Sequence, residues 1–593
     1  MRCVLPAAAA ALCAASAALG APSVVTVEKQ GQGWALKRNG SAYTIKGAGG
    51  DGSLELLARM GGNSIRTWGV EKAQETLDAA QKLGLSVTLG IWLGHPRHGF
   101  DYNNVDQVAK QLDEVRKAVL QFKDHPALLM WGLGNEMEGD GANAAVWSAL
   151  EGSAAMVKRL DPNHPTMTVV AELGDVKVGA VHKLCPSIDV LGINSYAGAV
   201  SVAERYAKAG GTKPYVLTEF GPPGTWEVEK TAWGAVLEPT SEAKAGWYRR
   251  AYTEAIVGKP LCLGSYAFTW GHKQEATTTW FGMLLADGSR VAAADVAQES
   301  WSGKPPANRC PVITSLKVSP ADAMEPGASL SATLVASDPE GDKLAVEWVL
   351  QAEAERYFTG GDAEAAPPVV SGALTRSSLT GADLKMPAEP GPYRLYATVR
   401  DGKGGAATAN VPLLVKGERK APPAAKAALP LVVYDERDRK APAYVPTGWM
   451  GNRTAVKMDE ACTTKPFAGA TCIRCEYTAA ADWAGVVWQS PPDDWGDQPG
   501  GWNLTGARCL TFRARGEKGG EVVSFMFGVL GRDKKYFDSA EAKKADVKLT
   551  QEWTEVTIDL AGKDLNRIKT GFAWTVAGQG APVVFYLDDI RYE

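Results

Sequence analysis

The chain has 593 residues, too many for one hydrophobic core; at roughly 100–200 residues per domain it divides into about three. It is 45% hydrophobic and 22% charged, as globular proteins are, with a formal net charge of -4. That balance excludes an electrostatic case for nucleic acid or an anionic membrane as the main partner and leaves neutral polymers open.

Residues 1–20 read as a secretory signal. Arg2 supplies the positive charge, an Ala/Leu/Cys-rich apolar stretch runs to Leu19, and small residues Gly20 and Ala21 follow, with cleavage placed after Gly20. The protein is therefore expected to be secreted, periplasmic or extracellular. An uncleaved anchor is the alternative, but the apolar run is short for a span. No other segment is long and apolar enough to cross a membrane, so the mature protein is expected to carry no span. Of the 9 cysteines, Cys3 and Cys13 leave with the signal, and at least one of the others is unpaired within the monomer. The preferred pairing is Cys462–Cys472, across a turn containing Gly469, in a compartment that permits disulfides. Cys472 and Cys475 have a metal-like spacing but no second pair or nearby histidine, so no metal or cofactor is expected.

Next come apolar, strand-like runs at 43–47, 63–68, 85–92, 128–133, 166–171, 188–193, 215–218 and 263–268. Helical patterns at 54–60, 73–83, 105–122 and 144–160 lie between them. Near-continuous apolar strands are those buried on both faces of a parallel sheet. Eight strand–helix units in under 300 residues predict an α/β fold, a (β/α)8 TIM barrel over 21–303. A doubly wound sheet is the rival, but Gly47–Gly50 lacks the spacing of a phosphate-binding loop. Lys158 and Arg159 suit the end of a helix, and Asp161-Pro162 stops it.

From 310 to 416 the texture is strand and turn, which predicts an immunoglobulin-like (Ig-like) β-sandwich. Its turn Asp338-Pro-Glu-Gly-Asp342, its Trp348 and its closing stretch 399–404 resemble polycystic-kidney-disease-type or cadherin-like modules, and the resemblance implies a spacer. An Ala/Pro/Lys linker spans 417–430. The last segment, 431–593, is again β-rich and holds Trp449, Trp483, Trp488, Trp495 and Trp502. Its stretches 483–489, 510–516 and 586–590 resemble a jelly-roll carbohydrate-binding module, a frame that also serves purely structural roles.

The sharpest chemical signal is Trp-Gly-Leu-Gly followed by Asn135 and Glu136, at the end of the fourth candidate strand. The second is Glu219, at the end of the seventh. In a parallel barrel all strand ends open on one face, so these distant carboxylates converge. Two carboxylates across a glycosidic bond are what glycoside cleavage requires. An Asn-Glu dipeptide alone commonly marks a cap or surface loop; the second strand-end glutamate changes its meaning.

This pattern resembles glycoside hydrolase clan A, and the barrel is similar to the family 2 catalytic domain and to the fungal β-1,3-glucanosyltransferases. The resemblance implies a retaining enzyme with Glu136 as acid/base and Glu219 as nucleophile. It further implies that Asn135 binds the sugar 2-hydroxyl, Arg66 sits beside Glu219, Tyr196 donates to it, and Trp270 floors the sugar subsite. His95 also matches a clan position, while Glu138, Glu172 and Trp226 fall where they could line the cleft. The barrel starts almost directly after the signal, unlike family 2, which weakens a family 2 assignment and any galactosidase or glucuronidase specificity borrowed from it. A binding module on a spacer suits a polysaccharide or oligosaccharide substrate, a β-glucan or relative. Transglycosylation by the same pair, an inactive polysaccharide-binding protein and an adhesion protein remain alternatives. No oligomeric state is assigned.

Overall fold

The structure is a computed structural model and describes residues 20–320, 323–354, 357, 360–417, 423–436 and 442–593. The signal-peptide expectation falls on residues 1–19, outside the described residues, as do residues 418–422 of the expected linker. The chain forms two compact units that divide after Glu418.

The first unit opens with a short antiparallel meander: β1 (Val25–Gln30), β2 (Gly33–Arg38) and β3 (Ser41–Tyr43). It is not among the elements expected from residue order. Eight parallel strands then close a barrel: β4 (Ile45–Gly50), β5 (Ser64–Arg66), β6 (Ser86–Ile91), β7 (Leu128–Asn135), β8 (Thr166–Ala171), β9 (Val190–Asn194), β10 (Tyr215–Glu219) and β11 (Cys262–Trp270). Every expected strand takes part. Val25 and Leu36 of the meander pack with Ile45, Leu129, Met167 and Val216, which plugs the barrel at its N-terminal end and leaves the other end for a site.

The helices form where local signals allow. In the first half they are α1 (Leu54–Arg59), α2 (Ala73–Lys82), α3 (Val105–Phe122) and α4 (Ala144–Leu160). Asn104 and Asn143 cap α3 and α4 through their side-chain oxygens. Lys158 and Arg159 lie in the last turn of α4, and Asp161 closes it, also accepting from the buried Trp131 indole at 2.8 Å. Four further helices complete the layer: α5 (Asp175–Leu184), α6 (Val202–Lys208), α7 (Ser241–Ala251) and α8 (Ala292–Ser302).

The 310–416 segment is a β-sandwich. One sheet holds β12 (Val312–Ser319), β13 (Ser329–Ser337), β15 (Leu374–Ser378) and β16 (Gly381–Lys385). The other holds β14 (Ala345–Ala352), β17 (Gly391–Arg400) and β18 (Ala406–Val415). This sandwich packs on the barrel within one unit. Arg394 donates to Val236 O at 2.9 Å, and Asn410 donates to Glu238 at 2.6 Å. Glu238 pairs with Lys244 of α7, and both are buried. Glu238→Ala is expected to cost about 3–5 kcal/mol, since it strands a buried ammonium. Urea unfolding reads this, and an unchanged midpoint would show that water reaches Lys244.

Among its described residues the second unit holds a six-stranded and a five-stranded β-sheet and a two-stranded pair. Trp488 is core, against Phe572, whereas Trp449 and Trp483 are exposed. The expected Cys462–Cys472 disulfide is not present. The two residues are cross-strand partners, but all seven described cysteines are free thiols, and the Cys472 thiol points to Thr464 O.

Candidate active site

The carboxyl ends of the barrel strands surround a cleft of about 1200 Å³. Small-molecule pockets run at about 300–1,000 Å³, so this space exceeds one small ligand. Glu136 and Glu219 both line it, with Asn135, Tyr196 and His95. At the end of β7, Gly134 (φ 72°) and Glu136 (φ 52°) adopt left-handed backbone on either side of Asn135. A non-glycine residue in that region is uncommon and clusters at functional sites. Here it turns the strand end into the cleft.

Glu219 collects three donors. The Arg66 guanidinium is 2.9 Å from Oε1, the Trp68 indole nitrogen 3.0 Å from the same oxygen, and the Tyr196 hydroxyl 2.9 Å from Oε2. Such a set fits an acceptor-only carboxylate with both oxygens held in place. Burial, then the Glu219 charge, pushes the Tyr196 phenol far up, so it stays a donor. Arg66 also donates to Asn135 Oδ1 at 2.6 Å, and Asn194 donates to Asn135 and, at 2.7 Å, to Glu136 Oε1. A continuous hydrogen-bonded chain therefore joins the two glutamates.

Glu136 sits in a different environment. Burial and then the neighbouring Glu219 charge push its carboxyl up to about 7. Its carbonyl accepts from His95 Nε2 at 2.6 Å, while His95 Nδ1 accepts from the Arg97 amide at 3.2 Å. Burial and then the Arg97 charge hold the imidazole below its usual value, which favours its neutral form. A carboxyl held up in this way beside a carboxylate with three donors can divide acid and base work with it.

The structure does not bring Trp270 to the cleft. Its ring is fully buried, packs on Trp301 of α8, and donates to Ser53 O at 2.9 Å. Simple alternation would have put Trp270 on the same side as Phe268, but the β11–β4 register shifts between them. Phe268 holds the floor instead, edge-on to Trp68 at 5.8 Å and to Tyr196 at 6.0 Å. Glu172 and Trp226 line the cleft; Glu138 is buried and paired with Lys177 at 2.9 Å. Sequence reasoning missed Trp68, Asn194 and Phe268 as site residues. The first two were legible as strand-end neighbours of Arg66 and Tyr196; Phe268 was hidden by the register shift.

Residues 51–225 match the model for glycosyl hydrolases family 2, TIM barrel domain. Human β-glucuronidase is 30% identical over 160 residues, 26% of this chain and 23% of that protein. The β-glucuronidase of Paenibacillus borealis is 27% identical over 209 residues, 30% of this chain and 33% of that protein. The chain thus spans about a quarter of the length of the human relative and a third of the bacterial one. Among solved structures, the Bifidobacterium dentium β-glucuronidase complexed with coumarin-3-O-glucuronide gives a TM-score of 0.38 at 20% identity, covering 47% of this chain and 50% of that one. The Bacteroides uniformis β-glucuronidase gives 0.37 at 11%, covering 95% and 67%. The likeness to family 2, against which the domain order argued, is carried by the barrel sequence.

Proposed function

We propose that the protein is a retaining β-glycosidase in which Glu219 is the nucleophile and Glu136 the acid/base. The observation that carries this is the contrast between the two carboxyl groups, one held by three donors and one kept protonated towards neutral pH by burial and by the first one's charge. In the first step Glu219 attacks the anomeric carbon, the bond to the leaving oxygen breaks, and Glu136 gives that oxygen its proton. The glycosyl ester neutralises Glu219. The repulsion that raised Glu136 then disappears, so the group stays ionised after giving up its proton and can take one from the incoming water. Asn135 and Asn194 belong to the hydrogen-bonded chain that joins the pair, and that position supports assigning them to a sugar hydroxyl.

The substrate we infer is a neutral β-linked glycan, a β-glucan or a relative of one. Carboxyl groups outnumber lysines and arginines in the cleft lining, and Arg97 and Lys273 already pair with Asp362 and Glu275. A uronate would face net repulsion there. The relatives are named for β-glucuronides, so that glycone is the control arm. Export rests on the leader-like residues 1–20 and is read by N-terminal sequencing of the mature form.

The test is trapping with 2-deoxy-2-fluoro β-glucosyl and β-glucuronosyl fluorides, followed by peptide mass spectrometry. The glucosyl adduct is expected on Glu219. Label on another residue removes its nucleophilic role, and label from the glucuronosyl probe alone reverses the substrate inference. Products longer than the substrate would reveal transfer to sugar rather than water.

A further inference from the structure

The sandwich expected to act as a spacer reaches into the cleft. Between β14 and β15, residues Gly360, Gly361 and Asp362 lie on the cleft wall. Lys273, in the loop after β11, donates to Gly361 O at 2.9 Å. Arg97, in the loop after β6, donates to Gly360 O at 2.8 Å and pairs with Asp362 at 3.2 Å; His98 meets the same carboxylate at 3.2 Å. The tip therefore joins two barrel loops that lie on different sides of the strand ring. It is anchored behind by the Ala276 amide, which donates to Glu364 at 2.8 Å, and by the buried Arg394–Glu353 pair at 2.8 Å.

The loop after β6 also carries Trp92, 41% exposed on the cleft and stacked on His98 at 6.5 Å. The same loop presents His95 to the Glu136 carbonyl. A leaving group must lie beside the acid that protonates it, so the Trp92 face lies on the leaving-group side. An exposed indole face suits the C–H face of a second sugar ring, with a polar rim for its hydroxyls.

We propose that Trp92, Arg97 and His98 of the barrel, together with Gly360–Asp362 of the sandwich, form a two-domain subsite for the leaving-group sugar. This rests on the glycosidase reading above. It makes the preferred substrate one whose leaving group is itself a saccharide. The sandwich then acts as a specificity element, supplying a wall that the barrel lacks.

Full-length Trp92→Ala and Asp362→Ala variants separate the possibilities. The substrates are β-glucosyl fluoride, whose leaving group is a single atom, and a β-linked gluco-oligosaccharide; the β-glucuronosyl pair replaces them if trapping identifies that glycone. Both variants are expected to lose about tenfold in kcat/KM on the oligosaccharide, carried by KM, and to stay within about twofold on the fluoride. Equal losses on both substrates, or none on either, overturn the two-domain subsite while leaving the glycosidase reading intact. No turnover of any glycosyl fluoride by the wild type overturns both together. Asp362 is a surface residue, and retained fluoride turnover also certifies that each variant is folded.

Discussion

Glu219→Gln is expected to lower turnover of every β-glycoside by at least about 10⁴-fold, because in the proposed mechanism Glu219 forms the glycosyl ester. Glutamine is the right replacement. Arg66 is buried with 2% exposure, and alanine would leave its charge without a partner. The amide oxygen still accepts from Arg66 and Trp68, so the site keeps its shape while losing its nucleophile. Steady-state kinetics on the glycosyl fluoride gives the number. Residual activity above about one percent of wild type would assign the attacking group to another side chain or to water.

Glu136→Gln has a leaving-group signature. General acid catalysis contributes about 10²–10⁴-fold, and only where the departing oxygen needs a proton. A loss of that order is expected on an oligosaccharide, with a much smaller loss in the glycosylation step on the fluoride. The pH profile gives a second reading. Glu136 is pushed up to about 7 by burial and by the Glu219 charge, and the first step needs it protonated. The wild-type kcat/KM on oligosaccharide is therefore expected to fall as pH rises through about 7, and that limb should vanish in Glu136→Gln. In Glu219→Gln the repulsive charge is gone, so the Glu136 carboxyl should titrate lower, seen by ¹³C-carboxyl spectroscopy. An unshifted titration would mean that burial alone sets its acidity. An alkaline limb that persists in Glu136→Gln would assign the titration to another group.

The site and the sandwich are less separate than a modular reading implies. The loops after β10 and β11 supply Trp226, Lys273 and Glu275 to the cleft, and the same loops hold the buried contacts of Val236, Glu238 and Ala276 with the sandwich. A buried ion pair is weak evidence for stability, but these contacts tie the cleft loops to the sandwich. A packed sandwich can thus hold cleft loops in register while presenting its own tip beside Trp92.

The barrel and its pair of strand-end glutamates were readable from residue order. Eight apolar runs with helical patterns between them encode a closed parallel sheet, because buried strands need side chains that are apolar on both faces. Asn135-Glu136 and Glu219 were readable because strand ends define one face of a barrel, which makes distance along the chain irrelevant. Arg66 and Tyr196 fell where the clan resemblance implied. Three features depended on tertiary contacts. Phe268 rather than Trp270 floors the cleft, because a register shift reorients the end of β11, and registry is a property of the neighbouring strand. The meander β1–β3 was invisible because its apolar faces gain meaning only against the barrel end that they plug. The place of Gly360–Asp362 was likewise unreadable: two glycines and an aspartate have the composition of any surface turn, and only the fold brings them within hydrogen-bonding reach of Arg97 and Lys273.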